Sequence, residues 1–459
     1  MTKKPNLLFF GIDSLRRDRM SLYGYDRLTT PHIDKYLEKG TVFNNCFSAH
    51  IPTTPGYANM LTGMDCFGTN VVALRHEGEL APGIKTLAEI LRENGYDTTC
   101  VGFKNCSGRG FDNYIDFEGW NAQADGRAHK AENLNAVSIP ELERLSKGDK
   151  PFFLFMRHMD PHSPYRAPEP FHKMFYQGNE FDPNNHSLDP VYNFKPFCDY
   201  FATWFPEGCT DAEYVCAQYD AEIAYMDSCI QLILQKLKDL GLENDTLVVF
   251  TSDHGETLYD HDCYFDHHSM YDNCLVVPFA VRFPGRVPQG KRVDDTCTLA
   301  DVTPTVLDIL GVETDIKFDG RSMFSTSFGG TMEHCDEFYI TECTWMRKHG
   351  WRTPKWKLMV ALEPDFHYKA EIELYDLEQD PHEYVNVADI RPDVVAELRA
   401  KMEAHIAKRE KETGRTNPMY TNLNWHGKNL GRGFISSDEA YFGMHIGDPG
   451  AAQKLQQKK

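Results

Sequence analysis

The stretch LVVFTSDHGE at residues 247–256 gives the clearest indication of the fold. Its first four residues are apolar and predict a buried strand, so the polar residues after them lie where that strand ends. Open α/β sheets bind their ligands just beyond the carboxyl ends of the strands. Asp253 and His254 therefore fall at a predicted ligand-binding edge, where a carboxylate beside an imidazole suits a divalent metal ion.

The first 330 residues alternate between short apolar runs and amphipathic stretches. Because strands that alternate with helices build a mostly parallel sheet covered on both faces, this pattern predicts an α/β catalytic domain over residues 1–330. The predicted strands are residues 6–12, 98–101, 152–156, 247–250 and 276–281, and the predicted helices are residues 30–40, 85–95 and 211–240.

A second pattern begins after residue 330, and we assign residues 331–412 to a smaller C-terminal α+β subdomain. The tail, residues 413–459, is weakly patterned but rich in aromatic side chains. It fits a disordered end, and it equally fits an arm packed on the chain's own body or on a neighbouring subunit of a homo-oligomer. In the subdomain, residues 338–340, 357–360 and 372–375 predict an antiparallel sheet, and residues 392–412 predict a charged helix.

The composition limits the partners of the chain. A formal net charge of −20 over 459 residues argues against nucleic acid and anionic membranes, because both require a basic surface. A small anionic substrate remains compatible, since a metal ion and a few cationic side chains reverse the field inside a cleft. The thirteen cysteines form no Cys-x-x-Cys pair, and neither a signal peptide nor a membrane-spanning run is evident. Together these features predict a cytoplasmic protein with free thiols.

A second carboxylate is predicted at the same edge of the sheet. Asp13 directly follows the strand predicted at residues 6–12. The carboxyl ends of parallel strands meet at one edge, so Asp13 joins Asp253 and His254 as a candidate metal ligand.

A candidate nucleophile precedes a predicted helix. Thr53 and Thr54 stand directly before Pro55, and proline is favoured in the first turn of a helix. The free N–H groups and the dipole at a helix N-terminus attract anions. A metal-bound hydroxyl at this point is activated for attack, because the metal lowers its pKa.

Histidines cluster near the predicted metal ligands. His162 follows the strand predicted at residues 152–156, and His261, His267 and His268 fall within one short segment after His254. Imidazoles at such an edge suit charge stabilisation and proton delivery to a leaving oxygen.

Three cationic side chains near predicted loop ends, Lys104, Arg157 and Arg166, are further candidates for binding substrate oxygens. For each of them taken alone, a solvated surface position is the simpler expectation.

The order of these motifs along the chain resembles the sulfatase branch of the alkaline phosphatase superfamily. The resemblance covers about residues 5–390, and it implies a large α/β domain, a smaller C-terminal domain with a four-stranded antiparallel sheet, and a divalent metal centre. The matching segments are PNLL at residues 5–8 through Asp13, TPHID at 30–34, FNN at 43–45 through LTG at 61–63, TLAEIL at 86–91, DPHSPY at 160–165, YDAEI at 219–223, TSDHGE at 251–256, DVTPT at 301–305 and ELYDL at 373–377.

Departures from the family pattern decide the expected chemistry. Sulfatases of this branch carry a Cys or Ser, converted to formylglycine, in the pattern Cys/Ser-x-Pro-x-Arg, and the matching positions here are Thr53 and Tyr57. Threonine cannot become formylglycine, and no cysteine of this chain starts such a motif. Ser14 stands where a second aspartate is usual, and His267 stands where a lysine is expected. Relatives that use a threonine nucleophile act on phosphoryl groups.

We therefore expect a metal-dependent phosphoesterase that hydrolyses a phosphodiester or a phosphonate monoester through a phospho-threonine intermediate. Two alternatives stay open: a sulfuric ester hydrolase that works without formylglycine, and an inactive protein that keeps the metal site for ligand binding. The expected catalytic residues are Thr53, His162 and His267, and the expected substrate contacts are Lys104, His268, His261, Thr54 and Tyr57.

The expected cofactor is one divalent metal ion. Mixed nitrogen and oxygen ligands suit Zn²⁺ or Mn²⁺, while the family resemblance keeps Ca²⁺ as an alternative. A second ion would need three more ligands, which Asp160, His162 and one of His261, His267 or His268 would supply. The ligands expected for the first ion are Asp13, Thr53, Asp253 and His254.

Overall fold

The computed structural model describes residues 4–74, 76, 78–102, 108–119, 127–194, 198, 204–330, 336–365, 367–423 and 431–439. The strands are β1 (Asn6–Ile12), β2 (Thr41–Phe47), β3 (His50–Ile51), β4 (Asp97–Val101), β5 (Asn113–Ile115), β6 (Phe152–His158), β7 (Thr246–Ser252), β8 (Thr257–Asp260), β9 (Cys263–Asp266), β10 (Val276–Arg282), β11 (Lys291–Val293), β12 (Cys297–Thr298), β13 (Phe338–Cys343), β14 (Arg347–Arg352), β15 (Trp356–Ala361) and β16 (Ile372–Asp376). The helices are α1 (Pro31–Leu37), α2 (Thr53–Thr62), α3 (Cys66–Thr69), α4 (Leu87–Glu93), α5 (Lys130–Ser146), α6 (Asp189–Asn193), α7 (Ala212–Asp239), α8 (Asp272–Leu275), α9 (Val302–Leu310), α10 (Phe324–Ser327), α11 (Pro392–Thr413) and α12 (Pro418–Thr421).

The main sheet has the strand order β11-β2-β10-β7-β1-β6-β4-β5, with β12 beside β2. Its neighbouring strands are parallel, apart from the two pairs that β10 makes with β2 and β7. The predicted α/β architecture with a mostly parallel sheet is therefore confirmed. Strand β1 lies between β6 and β7, so the residues that follow these three strands meet at one edge.

The central strand of this sheet is apolar on both faces. All seven residues of β1 are buried. Leu8 and Phe10 belong to an apolar core that includes helix α7, whereas Leu7 and Phe9 belong to a second core that includes helix α9. A sheet covered by helices on both sides requires such a continuous apolar run, which is why the sequence of β1 shows no alternation.

A second sheet follows in the C-terminal region, with the order β16-β15-β14-β13-β3. Its strands β13 to β16 are antiparallel, as expected. The fifth strand, β3, comes from the first 330 residues and pairs in parallel with β13 through His50 and Ile51. Since β3 ends just before Thr53, the second sheet is hydrogen-bonded to the segment that leads into helix α2.

Helix α11 covers the second sheet with the buried side chains of Val394, Leu398, Met402 and Ile406. Part of the tail, residues 431–439, folds back on the chain, and the Phe434 N–H donates to Glu363 Oε1 at 3.0 Å. The cysteines among the described residues form no disulfide. Within the part of the chain that the structure describes, no helix combines the length and apolar character needed to cross a bilayer.

Candidate active site

The carboxyl ends of the neighbouring strands β1 and β7 bring two carboxylates together. Ile12 pairs with Ser252 in the parallel ladder, so Asp13 and Asp253, one residue further along each strand, lie side by side. Adjacent strands are about 4.8 Å apart, so side chains at these two positions can share one ligand. Both carboxylates are fully buried.

The ring of His254 completes this pair. Its Nδ1 lies 2.7 Å from the Gly255 carbonyl oxygen, so Nδ1–H is the donor and Nε2 keeps its lone pair. Nε2 lies 3.4 Å from Asp253 Oδ2 and 3.7 Å from Asp13 Oδ1. The three side chains therefore converge on one point with a basic nitrogen and two carboxylates.

Thr53, the first residue of helix α2, is the fourth member of the site. Its Oγ1 lies 3.0 Å from His254 Nε2. Helix α2 packs closely here, because a Cβ atom on Gly56 would lie 2.6 Å from the Asp253 carbonyl oxygen. Glycine at position 56 thus permits the approach that brings the Thr53 hydroxyl to the carboxylates.

The four side chains fit a divalent cation. Asp253 Oδ2 is buried and has no hydrogen-bond partner among the described residues. Burial and the neighbouring Asp13 raise the pKa of Asp253 well above its usual value, while burial lowers the pKa of His254 to about 4 and keeps its ring neutral. Two buried carboxylates are costly without a compensating cation. Carboxylate oxygens, a neutral imidazole and a hydroxyl are ligands that Zn²⁺ and Mn²⁺ accept.

A buried cationic side chain, Arg157, lies beside this set. Its Nη2 is 2.5 Å from Asp13 Oδ2. Burial alone would raise the pKa of Asp13, but Arg157, with His162 and His254, lowers it below its usual value. The expectation of a solvated surface position for Arg157 is wrong, because strand β6 carries the side chain into the site and only 8% of it is exposed.

The ring of Tyr57 packs against the guanidinium of Arg157. The guanidinium of Arg157 lies 5.0 Å from the centroid of the Tyr57 ring, a cation–π distance. The Tyr57 hydroxyl donates to the Gly11 carbonyl oxygen at 3.2 Å, and its ring packs edge-on against Phe155. The structure thus places Tyr57 in the core beneath the site, and Arg157 is the residue that brings positive charge to it.

Three imidazoles form a row along the site. The ring centroids of His254 and His267 are 4.7 Å apart, and those of His267 and His162 are 5.4 Å apart. His162 Nδ1 lies 2.7 Å from the Ser163 carbonyl oxygen, so its proton sits on Nδ1 and Nε2 is the basic nitrogen. The structure therefore brings the two predicted catalytic histidines together beside a predicted metal ligand.

Two carboxylates that the sequence reasoning missed lie beside these rings. His267 Nδ1 lies 3.2 Å from Asp266 Oδ1 and 3.8 Å from Glu256 Oε1. Asp266 Oδ2 is also 3.0 Å from His268 Nδ1, so one carboxylate lies within ion-pair distance of two imidazoles. The available signal was the run Asp266-His267-His268, in which an acidic residue adjoins paired histidines.

Two predicted substrate contacts are already engaged by the protein. The Thr54 hydroxyl donates to the Leu74 carbonyl oxygen. Nε2 of His268 accepts a hydrogen bond from the indole N–H of Trp345, which follows strand β13. These contacts hold Thr54 and His268 as parts of the wall of the site.

Among the described residues, the predicted contact His261 does not join the row of histidines. The ring of His261 stacks on Tyr271 with centroids 3.7 Å apart, and it also lies beside Tyr384. Lys104 lies outside the described residues. Neither residue enters the proposal below.

Asp160, considered above as a ligand for a second ion, has other partners. Its Oδ1 lies 3.2 Å from Lys130 Nζ, and its Oδ2 accepts from the Ala131 N–H in the first turn of helix α5. Lys130 also pairs with Glu222 at 2.9 Å and donates to the His162 carbonyl oxygen at 2.7 Å. This buried cluster fixes the loop that carries His162.

Comparisons with known proteins agree with the fold. A family model described as Sulfatase matches residues 5–312, and one described as N-sulphoglucosamine sulphohydrolase, C-terminal, matches residues 260–412. The chain is 24% identical to N-acetylglucosamine-6-O-sulfatase of Bacteroides thetaiotaomicron, covering 84% of this chain and 83% of that protein. It is 26% identical to N-sulphoglucosamine sulphohydrolase of Homo sapiens, covering 80% and 82%. Its fold is similar to the crystal structure of phosphonate monoester hydrolase of Agrobacterium radiobacter, with a TM-score of 0.71 at 23% identity, covering 88% and 96%.

Proposed function

We propose that this chain, which belongs to the sulfatase family, hydrolyses a phosphoric diester or a phosphonate monoester with Thr53 as the nucleophile. The observation that carries this proposal is the 3.0 Å contact between Thr53 Oγ1 and His254 Nε2, next to the buried Asp13 and Asp253. A hydroxyl at a helix N-terminus, beside an imidazole and two carboxylates, has the surroundings of an activated nucleophile.

We propose one divalent ion at Asp13, Thr53, Asp253 and His254. When bound, such an ion lowers the pKa of a hydroxyl and offsets the charge of an anionic ester. A second ion is disfavoured because the Asp160 carboxylate is bound to Lys130 and to helix α5. The mixed ligands favour Zn²⁺ or Mn²⁺ over Ca²⁺.

The proposed reaction consists of two displacements at phosphorus. In the first, His267 or His162 takes the proton of the Thr53 hydroxyl, a bond forms from Thr53 Oγ1 to phosphorus, and the bond to the ester oxygen breaks as the same imidazole passes its proton to the departing oxygen. In the second, water attacks phosphorus and loses a proton to the imidazole, while the bond to Thr53 breaks and the threonine oxygen is reprotonated. Arg157 and the N-terminal N–H groups of helix α2 supply positive potential at this point.

The choice of phosphorus over sulfur follows from the nucleophile. A formylglycine hydrate expels sulfate by elimination through its second hydroxyl, and a threonine ester has no second hydroxyl. A sulfated Thr53 would therefore persist unless water attacked the sulfur. Phosphorus accepts attack by water, so a phosphorylated Thr53 turns over.

A second candidate function is the hydrolysis of sulfuric esters without formylglycine. The names of the relatives favour it, because both proteins compared above are described as acting on sulfated or N-sulfated glucosamine units. A panel of 4-nitrophenyl sulfate, bis(4-nitrophenyl) phosphate and 4-nitrophenyl phenylphosphonate, each with Zn²⁺, Mn²⁺ and Ca²⁺, separates the two candidates. A sulfate preference above roughly tenfold in kcat/KM, about 1.4 kcal/mol in the barrier, would overturn the phosphoesterase assignment.

The nucleophile is tested by substitution. Thr53→Ala should abolish turnover while leaving the fold intact, and Thr53→Ser should retain part of it. Thr416→Ala, at an exposed threonine, is the matched control and should behave as wild type. Mass spectrometry of protein quenched during turnover should find one phosphoryl group on the peptide that contains Thr53. A near-normal diesterase rate in Thr53→Ala, or a phosphoryl group on another residue, would exclude the proposal.

A further inference from the structure

A cavity of about 250 Å³ lies behind the loop that carries His162. Pockets for drug-sized ligands usually measure about 300–1,000 Å³, so this space suits one small ring with its substituents. Its lining includes Arg127, Tyr165, Arg166, Trp204, Tyr214 and Gln218.

The cavity shares a wall with the candidate active site. Tyr165 lines it and packs on Phe265, which precedes His267 by two residues. Arg166 follows His162 by only four residues, which limits their Cα separation to roughly 14 Å. A group bound in the cavity is therefore close enough to belong to the same substrate molecule as an ester beside Thr53.

Two guanidinium groups give this cavity positive charge in an acidic chain. Burial lowers the pKa of Arg166, and the charge of Arg127 lowers it further, which shows that the two guanidiniums are near each other. Both are held in place: Arg166 Nε donates to the Trp204 carbonyl oxygen at 3.3 Å, and Arg127 donates to the Tyr214 hydroxyl. Paired guanidiniums bind planar or tetrahedral oxyanions well.

A buried acceptor and an aromatic wall complete the cavity. Gln218 is 2% exposed, and its Nε2 donates to the His172 carbonyl oxygen. Its Oε1 has no hydrogen-bond partner among the described residues, so it can accept from a hydroxyl of a ligand. The Trp204 ring, set edge-on against Tyr165 at 5.1 Å, offers an apolar surface for the flat side of a sugar ring.

We propose that this cavity is a subsite for an acidic sugar unit of the substrate, with the oxyanion at Arg127 and Arg166, a hydroxyl at Gln218 and the ring against Trp204. This inference rests on the proposed function, and it extends that function by naming the class of group that accompanies the ester. The positive charge of the two arginines favours an anionic group. The Gln218 amide oxygen and the Trp204 ring favour a sugar ring with hydroxyl groups.

Ligand-observed NMR with the full-length, metal-loaded protein tests the subsite through glucuronate, glucose and inorganic phosphate as probes. Glucuronate should bind at least tenfold more tightly than glucose. Inorganic phosphate should displace glucuronate from the cavity only weakly. Arg166→Gln and Arg127→Gln should each weaken glucuronate binding at least fivefold, and Gln218→Leu should weaken both sugars. Arg391→Gln, which removes an exposed arginine paired locally with Asp393, is the matched control and should change nothing.

Turnover of 4-nitrophenyl phenylphosphonate, which lacks a sugar, separates the subsite from the proposed function. The three cavity variants should keep kcat and KM for this small ester within about twofold of wild type, and Arg166→Lys should restore part of the glucuronate affinity. Glucuronate binding that the arginine substitutions leave unchanged, or binding no tighter than that of glucose, would overturn the subsite. If wild type binds glucuronate through these arginines but hydrolyses no phosphoester, the proposed function fails and the subsite stands.

Discussion

Nη2 of Arg157 lies 2.5 Å from Oδ2 of Asp13, and both side chains are buried at the ends of adjacent strands. The pair places a permanent positive charge beside a candidate metal ligand. The carboxylate is thereby kept ionised, although burial alone would favour its protonated form.

Arg157→Met is expected to lower the free energy of unfolding of the metal-free protein by about 3–5 kcal/mol, because the Asp13 carboxylate loses its buried partner. Saturating Mn²⁺ should recover much of this loss, since an ion bound at Asp13 replaces the missing charge. Urea denaturation with and without Mn²⁺ measures both effects. The double variant Asp13→Asn/Arg157→Met is the matched control, and Mn²⁺ should stabilise it little. An equal loss with and without Mn²⁺ would argue against an ion at Asp13.

His267→Gln is expected to slow the hydrolysis of alkyl esters about 10²–10⁴-fold while slowing nitrophenyl esters much less. Alkoxide leaving groups need a proton, whereas nitrophenolate departs without one. Steady-state kcat/KM for a series of leaving groups measures the difference, and the same series with His162→Gln shows which ring is the acid. A uniform loss across the series in both variants would contradict a proton-delivery role for these histidines.

Asp266→Asn is expected to lower kcat/KM about 10–100-fold, because the carboxylate that faces both His267 and His268 is lost. The matched control is Asp262→Asn, which replaces an exposed carboxylate four residues away that pairs with Lys369 at 3.2 Å and accepts from the Tyr264 hydroxyl at 3.4 Å. Urea denaturation checks that the two variants are folded equally well. Equal activity of Asp266→Asn and the control would show that this carboxylate does not position the rings.

The raised pKa of Asp227, a residue outside the candidate active site, predicts that the stability of the protein depends on pH. It accepts the N–H groups of His32 and Ile33 in the first turn of helix α1, and burial raises its pKa to about 7. Between roughly pH 4 and 7 the folded state therefore binds the proton more tightly than the unfolded state, so stability falls as pH rises through this window.

Asp227→Asn should remove this dependence. The difference in unfolding free energy, variant minus wild type, should rise from pH 5 to 7 with a slope of up to about 1.4 kcal/mol per pH unit. The changed hydrogen-bond acceptor adds a constant offset that does not change the slope. Urea denaturation at several pH values gives both quantities, and parallel stability curves would contradict the raised pKa.

Much of the sheet was predictable because its central strands are apolar throughout. Strand β1 has the bounds expected from its sequence, and β7 differs by one residue at its start and two at its end. Strand β14, RKHGWR, was not predicted because half of its residues are charged, yet all six are buried. Its charges are neutralised by partners distant in sequence, as Lys348 is by Asp365 and Arg352 by Asp272. No periodicity in the sequence reveals such pairing.

The site residues likewise fall into those that the sequence could bring together and those that it could not. Asp13, Asp253 and His254 could be brought together from the sequence, because each directly follows a recognisable strand and parallel strands end at one edge. The sequence could not show which histidine of the hairpin segment lies at the active site. In the structure, the His261 ring packs on Tyr271, whereas the His267 ring lies beside His254. That choice depends on a short hairpin whose turn contains His261 and Asp262 at positive φ, and nothing in the sequence fixes its direction.

Because β3 pairs with β13, the C-terminal sheet cannot be removed or exchanged without affecting the segment that leads into helix α2. Only Pro52 lies between the last residue of β3 and Thr53, so a chain shortened before β13 would leave helix α2 unanchored at its start. The smaller sheet is consequently not a module that can be swapped or deleted while the larger one keeps working. Replacements of this C-terminal region by that of a relative should succeed only when the donor supplies an edge strand in the same register as Thr341 and Glu342.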